Sequence, residues 1–303
     1  MLYTADHHVY ELPPLLEWNV RHTGTVPCDS WSVTAVYRPE MAPVLKMAAG
    51  FAAVEDGQTQ LRGIVDEYSV ELDQNGLTVT LAGRGYAARL LDNESRPVTY
   101  ERVTLRELLR RHAEPYGITV GEAVELSSAA PYTAGAGSSQ WKVISEFCRV
   151  YGGFLPRFSK TGELLAAPEQ AGRQLVLDES SPIRSCRLRE DHYGVITEAL
   201  VIDKRQNISY SVRNPEMIRK GGQCRRVVYT PGKSTWAAMR YTGEYQIQQS
   251  RQDEKTVTVS LPGSFGAFPG NRAELRLSKL GLEGFFRVAE AENRFSAREG
   301  AVM

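Results

Sequence analysis

The sequence is poor in the features that announce chemistry. It has four cysteines, Cys28, Cys148, Cys186 and Cys224, far apart, in no CxxC pair and with no histidine at zinc-ligand spacing. That excludes a zinc ribbon or a dithiol redox motif and reads as reduced, mostly buried thiols in a cytosolic product. Net charge is missing too: 36 Lys plus Arg stand against 36 Asp plus Glu, whereas a protein devoted to nucleic acid is globally basic. A near-neutral chain associates readily, as an assembly component should. No run approaches the ~18 apolar residues of a membrane-spanning helix. The first residues, MLYTADHHVYELPPLLEW, carry neither a basic start nor a long apolar stretch, so no signal peptide is expected. GxSxG, HExxH, DxDxDG and the P-loop are absent from the sequence.

What is present is length and patterning. With 303 residues, 42% hydrophobic and 24% charged, the chain has material for a packed core and about two domains. Its clearest local signal runs from Leu61 to Glu94, LRGIVDEYSVELDQNGLTVTLAGRGYAARLLDNE. Asn75-Gly76 marks a two-residue hairpin turn, because both central positions of a type I′ turn need φ > 0. That turn predicts Gln74 opposite Leu77, Leu72 opposite Val79 and Val70 opposite Leu81. With side chains alternating, Tyr68, Val70, Leu72, Val79 and Leu81 share an apolar face expected to be core. Glu71, Asp73, Thr78 and Thr80 take the wet face. Gly83-Arg-Gly-Tyr-Ala-Ala88 then fits G-x-G-x-x-A, but the strand before it belongs to an antiparallel hairpin. The dinucleotide fingerprint needs a parallel crossover, so a glycine turn is expected there and no cofactor.

Changes of period divide the chain. Residues 1–93 read as a strand-rich domain, with candidate strands Leu15–Arg21 and Trp31–Tyr37. Residues 94–170 read as a small α/β insertion. There Thr104-Leu-Arg-Glu107 is a capping box, and Leu105, Leu108, Leu109 and His112 form a helical stripe stopped by Pro115. A second helix, about Ser139 to Tyr151, presents Val143, Ile144, Phe147, Val150 and Tyr151 and closes at Gly152-Gly153. A short hairpin follows, turning at Lys160-Thr161-Gly162. Residues 171–303 read as a second β domain with one helix near 234–249, capped by Ser234. Ile64, Asp66 and Gly76 echo Val288, Glu290 and Gly300 at one common offset, as two related β domains would.

Candidate chemistry is sparse. His7-His8 with Glu11 lacks a further ligand for a metal. Cys148 with His192 or His112 would make a nucleophilic pair, yet a cysteine inside a helix has no helix-start dipole to activate it. Asp66-Glu67 are strand neighbours that point apart, and Asp191 stands alone. Charge is more telling. From Pro182 to Arg240 there are 12 basic and five acidic residues. Such a segment is either a solvated face or a docking surface for acidic parts of neighbouring chains.

The hairpin run, followed in order by VTLRELLRRHAEPYGI, WKVISEFCRVYGGFLPRFSKTGEL and FPGNRAELRLSKLGLEGFFRVAEAENRFSAREG, resembles the late-control-D-like baseplate hub proteins of contractile phage tails. These are related to the N-terminal part of type VI secretion spike proteins. The resemblance implies a mainly β fold: two tube-protein-like β-barrel or sandwich domains plus a small α/β module. It implies a homotrimer whose duplicated domains form a pseudo-sixfold ring. Such a ring joins a hexameric tail tube to a trimeric central spike, with baseplate wedge and tape-measure proteins as further neighbours. It implies synthesis in the bacterial cytoplasm, residence in a virion or tail-like particle, and no contact with membrane or with specific nucleic acid sequences. No catalytic residue, cofactor or metal is expected. Trp236, Phe265, Phe268, Arg225 and Arg226 are the candidate contacts between chains, since large aromatics in Gly/Pro-rich loops anchor interfaces. Two other classes remain open at this point. A tail-associated peptidoglycan hydrolase would need Glu146 or Glu190 in a cleft, and a glycan-binding β module would need exposed tryptophans.

Overall fold

A computed structural model describes residues 1–24, 27–74, 76–128, 131–170, 172–230, 235–251, 254–298 and 300–303. The chain is mainly β. It divides into two units: residues 1–182 with 262–303, and residues 183–261. The first unit opens with β1 (Leu2–Thr4), β2 (Val9–Tyr10), β3 (Leu15–Thr23), β4 (Ser30–Val36), helix α1 (Ala42–Met47), β5 (Ala48–Glu55), β6 (Gln58–Asp73) and β7 (Gly76–Gly85). An insertion follows: α2 (Ala88–Leu91), β8 (Val98–Tyr100), α3 (Leu105–His112), β9 (Val120–Ala123), β10 (Tyr132–Ala134), α4 (Gln140–Phe147), β11 (Arg157–Phe158) and β12 (Leu164–Ala166). After β13 (Gln174–Asp178) comes the second unit, with β14 (Ser185–Glu190), β15 (Glu198–Asp203), β16 (Ile208–Arg213), α5 (Pro215–Arg219), β17 (Arg225–Tyr229), α6 (Trp236–Ser250) and β18 (Lys255–Ser260). The chain then returns to the first unit as β19 (Arg272–Leu277), β20 (Leu282–Arg287), β21 (Glu290–Ser296) and β22 (Gly300–Val302).

That return changes the expected domain plan. The first unit is built on a nine-stranded sheet in the order β2-β1-β5-β6-β7-β4-β3-β21-β22. Of the last two strands, expected within a second domain at 171–303, β21 pairs instead with β3, Glu290 opposite Thr23 through Ser296 opposite Glu17, and β22 adds to the outer side of β21. Side chains explain the choice: Arg21 binds Glu290 at 2.6 Å, Asn19 binds Glu292 at 2.7 Å, and Trp18 stacks on Phe295. Glu290 and Gly300, two members of the internal echo, therefore sit in the same sheet as Asp66 and Gly76.

One face of this sheet carries the core: Val20, Trp31, Val33, Ala35, Phe51, Leu61, Val79 and Leu81, closed over by Leu45 of α1. Trp31 stacks on Phe51 at 3.8 Å and donates from its indole to the Ile64 carbonyl at 3.1 Å. It lies against Gly63 and Gly83, where a Cβ would come 2.2 Å from the Arg84 carbonyl and 1.9 Å from the Ile64 carbonyl respectively. Gly83 and Gly85 thus lie in strand β7, Gly83 to admit the indole and the β6 backbone and Gly85 against Asp29, and they are not a turn as the sequence predicts. Between them Arg84 bridges Asp66, exposed by a bulge in β6, and Asp92 at the end of α2, each at 2.8 Å.

The insertion follows its sequence signals closely. Thr104 and Glu107 form both halves of the capping box, and Leu105, Leu108, Leu109 and His112 are buried. Helix α4 buries Val143, Ile144 and Phe147, but a π turn over Cys148–Gly152 then shifts the phase. Val150, expected on the apolar stripe, is exposed as a result. His112 is buried in a polar chain, with Nε2 2.9 Å from the Tyr100 hydroxyl and Nδ1 2.6 Å from Gln140 Oε1; Gln140 in turn donates to the Tyr116 hydroxyl at 2.7 Å. Burial pushes this imidazole below its ordinary range, opposed by the Gln140 bond and helped by Arg111. A histidine depressed in the folded state stabilises above its unfolded pKa, and that contribution is lost as pH falls through the folded value. Thermal melts should therefore show a fall in stability as pH drops below about 6.5. The slope should be smaller in His112→Gln; an unchanged slope would assign it to other groups.

In the second unit, β15 lies between antiparallel β16 and parallel β17, while β14 pairs with β18. Helix α6 crosses one face of the three-stranded sheet at Gly243, where a Cβ would meet Val212 Cγ2 at 2.4 Å. Thr235 caps this helix through the Ala238 amide, whereas Ser234, the expected cap, lies outside the described residues.

Candidate assembly interface

The hairpin β6–β7 forms with its register slipped from the predicted one. The closing pair is Asp73 opposite Gly76, Leu72 faces Leu77, Val70 faces Val79 and Tyr68 faces Leu81; Asn75 lies outside the described residues. Gly76 supplies the positive φ, +117°, from within the strand. Pairing with β4, which sets Leu81 opposite Val33 and Val79 opposite Ala35, holds this alignment. A slip by two partners preserves the faces, so the apolar set is unchanged. Its burial is not as expected. Val79 and Leu81 are fully buried, yet Tyr68 is 41% exposed, Val70 42% and Leu72 73%. The reason is length: β5 accompanies β6 only to Gly50 opposite Ile64. Beyond it β6 has β7 on one side and, among the described residues, no strand on the other. The result is an apolar stripe, joined by half-exposed Leu77, along a free strand edge.

The second unit offers a contrasting edge. On β17, Arg225, Val227 and Tyr229 share the sheet face that α6 leaves uncovered, beside Leu200 and Ile202 of β15. Val227 and Tyr229 are exposed. Arg225 binds Glu198 at 2.6 Å, and Lys204 lies 4.1 Å over the Tyr229 ring. Arg226 is exposed on the opposite side of the strand. Among the described residues it has no acidic partner.

The other predicted contacts separate into two groups. Trp236 is exposed at the start of α6, its ring 6.0 Å from that of Tyr210. Phe265 and Phe268 are engaged within the chain: Phe265 stacks on Trp18 at 5.4 Å, and Phe268 lies 4.9 Å from the buried His22 ring. Their loop is fastened by Asn293, whose Oδ1 accepts from the Phe265 amide at 2.6 Å. In the sequence only their loop marks these rings; what they cover, Trp18 and His22 of β3, lies near the other end of the chain.

The nominated catalytic groups do not converge. Glu146 and Glu190 are both exposed, the latter 4.0 Å from Lys255. Cys148 is buried, and burial pushes its thiol up to about 12; both ring nitrogens of His112 are already engaged. His192 is exposed. His8 pairs with Asp6 at 3.0 Å, and among the described residues no group of three or more His, Cys, Asp or Glu could hold a metal. One cavity of about 360 Å³ lies on the polar face of the large sheet, between Trp18, Asn19, Thr34 and Arg294. Another of about 570 Å³ lies between β16 and α6, lined by Arg213, Glu244 and Arg251. No described helix is long and apolar enough to cross a membrane.

Comparison with solved structures finds the same arrangement elsewhere. The chain superposes on the tail protein from Neisseria meningitidis MC58 with a TM-score of 0.77 at 16% identity, covering 95% of this chain and 90% of that one. The fold is that of a phage tail protein. The 43 kDa tail protein of prophage MuSo2 from Shewanella oneidensis gives a TM-score of 0.77 at 14% identity, with 95% and 91% covered. The E. coli c3393 protein is a type VI secretion component described as similar to the T4 tail proteins gp27 and gp5. It matches with a TM-score of 0.57 at 9% identity, over all of this tail-protein fold and 74% of its own chain. No protein-family model and no curated protein matches the sequence.

Proposed function

We propose that this chain is a structural hub of a contractile tail or related injection particle, of the late-control-D-like kind. In this reading three copies form a ring that joins a sixfold tail tube to a threefold spike, with wedge and tape-measure proteins as further neighbours, at the baseplate of the particle. The observation that carries it is the β6–β7 hairpin, which projects past its own sheet with an apolar stripe and a free edge. Such a strand is a liability in an isolated protein and a joint in an assembly. The tail-protein fold over nearly the whole chain supports the same reading. Trp236, Arg225 and Arg226 belong to the contact surfaces in this scheme. The role is mechanical, and no residue acts as acid, base or nucleophile.

Light scattering of the purified chain mixed with its spike and tube partners tests this. A complex containing three copies of the chain is expected. A stable dimer, or a chain that stays monomeric with both partners present, would overturn it. Clearing of a cell-wall zymogram by the chain alone would overturn the non-enzymatic role.

A further inference from the structure

Two edges of this chain match each other, although they lie in different units. The free stretch of β6, Asp66 to Asp73, carries four carboxylates and neither Lys nor Arg. Asp66 is held by Arg84. Glu71 has no basic partner among the described residues. Tyr68, Val70 and Leu72 alternate with these acidic positions. The terminal strand β17 reads Arg-Arg-Val-Val-Tyr and, among the described residues, has a neighbouring strand, β15, on one side only. Its apolar Val227 and Tyr229 are exposed, and its Arg226 has no acidic partner among the described residues.

We propose that the β6 edge of one copy adds as an antiparallel strand to the β17 edge of a second copy. With Val70 opposite Val227, Tyr68 falls opposite Tyr229 and Leu72 lies along the aliphatic stem of Arg225. On the other face Glu71 meets Arg226, so each unpaired charge gains its partner. Self-pairing of two β6 edges is disfavoured. Antiparallel alignment about Ser69 sets Glu67 against Glu71, and like charges directly opposite each other destabilise a sheet. The contact is therefore heterologous, the kind that closes a ring when its rotation allows. This inference rests on the oligomeric reading above, but it can fail separately.

The test mixes two full-length variants, Val70→Cys and Val227→Cys, in the presence of the spike partner under mild oxidation. Peptide mass mapping then seeks a disulfide between positions 70 and 227, which can form only between copies. The link is expected to form. Glu71→Arg in the first variant should reduce it about tenfold or more, given the cost of facing like charges. Arg226→Glu in the second should then restore it. A trimer that gives no 70–227 link would overturn the strand addition and leave the trimer standing. A monomer with no link would overturn both. A link indifferent to both charge reversals would overturn the Glu71–Arg226 register.

Discussion

Gly83→Ala is expected to unfold the first unit or nearly so. A Cβ at this position would lie 1.9 Å from the Ile64 carbonyl and 2.8 Å from the Trp31 ring. No real Cβ sits so close to backbone, so β7 must move away from β6 or from β4, and both pairings hold the core. Forcing one extra methyl group into a well-packed core commonly costs about 1–3 kcal/mol and sometimes more. The obstacle here is a main-chain carbonyl that cannot rotate aside, so a loss of about 3 kcal/mol or more is expected. Chemical denaturation followed by tryptophan fluorescence would read it directly, because Trp31 reports from the strained site. Gly76→Ala sits where nothing lies within 4 Å and makes a useful contrast: it should suffer only the strain of its positive φ. If Gly83→Ala melts with the wild type, the packing of Trp31 against β7 described above is wrong.

The same glycine shows which parts of this fold are legible in a sequence. Local rules act over a few residues, and where they govern, the reading holds: the capping box at Thr104 and Glu107, the buried leucines of α3, the antiparallel pairing of the strand that ends in Gly83-Arg84-Gly85. The misreadings come from long-range partners. Gly83 is small because Trp31 and Ile64 occupy its space. The hairpin register follows the pairing of Leu81 and Val79 with β4 as much as the chemistry of Asn75-Gly76. The domain plan fails at β21, whose partner β3 lies at the other end of the chain, and no local signal announces a strand that crosses an entire inserted unit. The candidate contact residues divide in the same way. Arg225 and Arg226 keep the exposure that their charge predicts, while Phe265 and Phe268 find Trp18 and His22 within the chain.

The apolar stripe on β6 was legible in composition and misread in burial, and that difference sets the largest functional effect to expect. Replacing Tyr68, Val70 and Leu72 together by Ser should leave the stability of the isolated chain almost unchanged. All three are exposed, and surface substitutions away from special features usually stay within about 0.5 kcal/mol each. If the stripe were core, the same triple change would cost several kcal/mol and unfold the sheet. In the proposed assembly each side chain is covered by a neighbour. Full burial of such a residue contributes about 1.5–3 kcal/mol. These side chains are already partly shielded, so about 1 kcal/mol each is a fair share. Together that is about 3 kcal/mol, or roughly a hundredfold in affinity at each joint. A ring needs every joint, so copies that tolerate one weakened contact still fail to close. The expected outcome is a chain that melts like the wild type and no longer enters a threefold complex with its spike partner, measured by thermal unfolding and light scattering on the same samples. Loss of stability without loss of assembly would invert the assignment and return the stripe to the core.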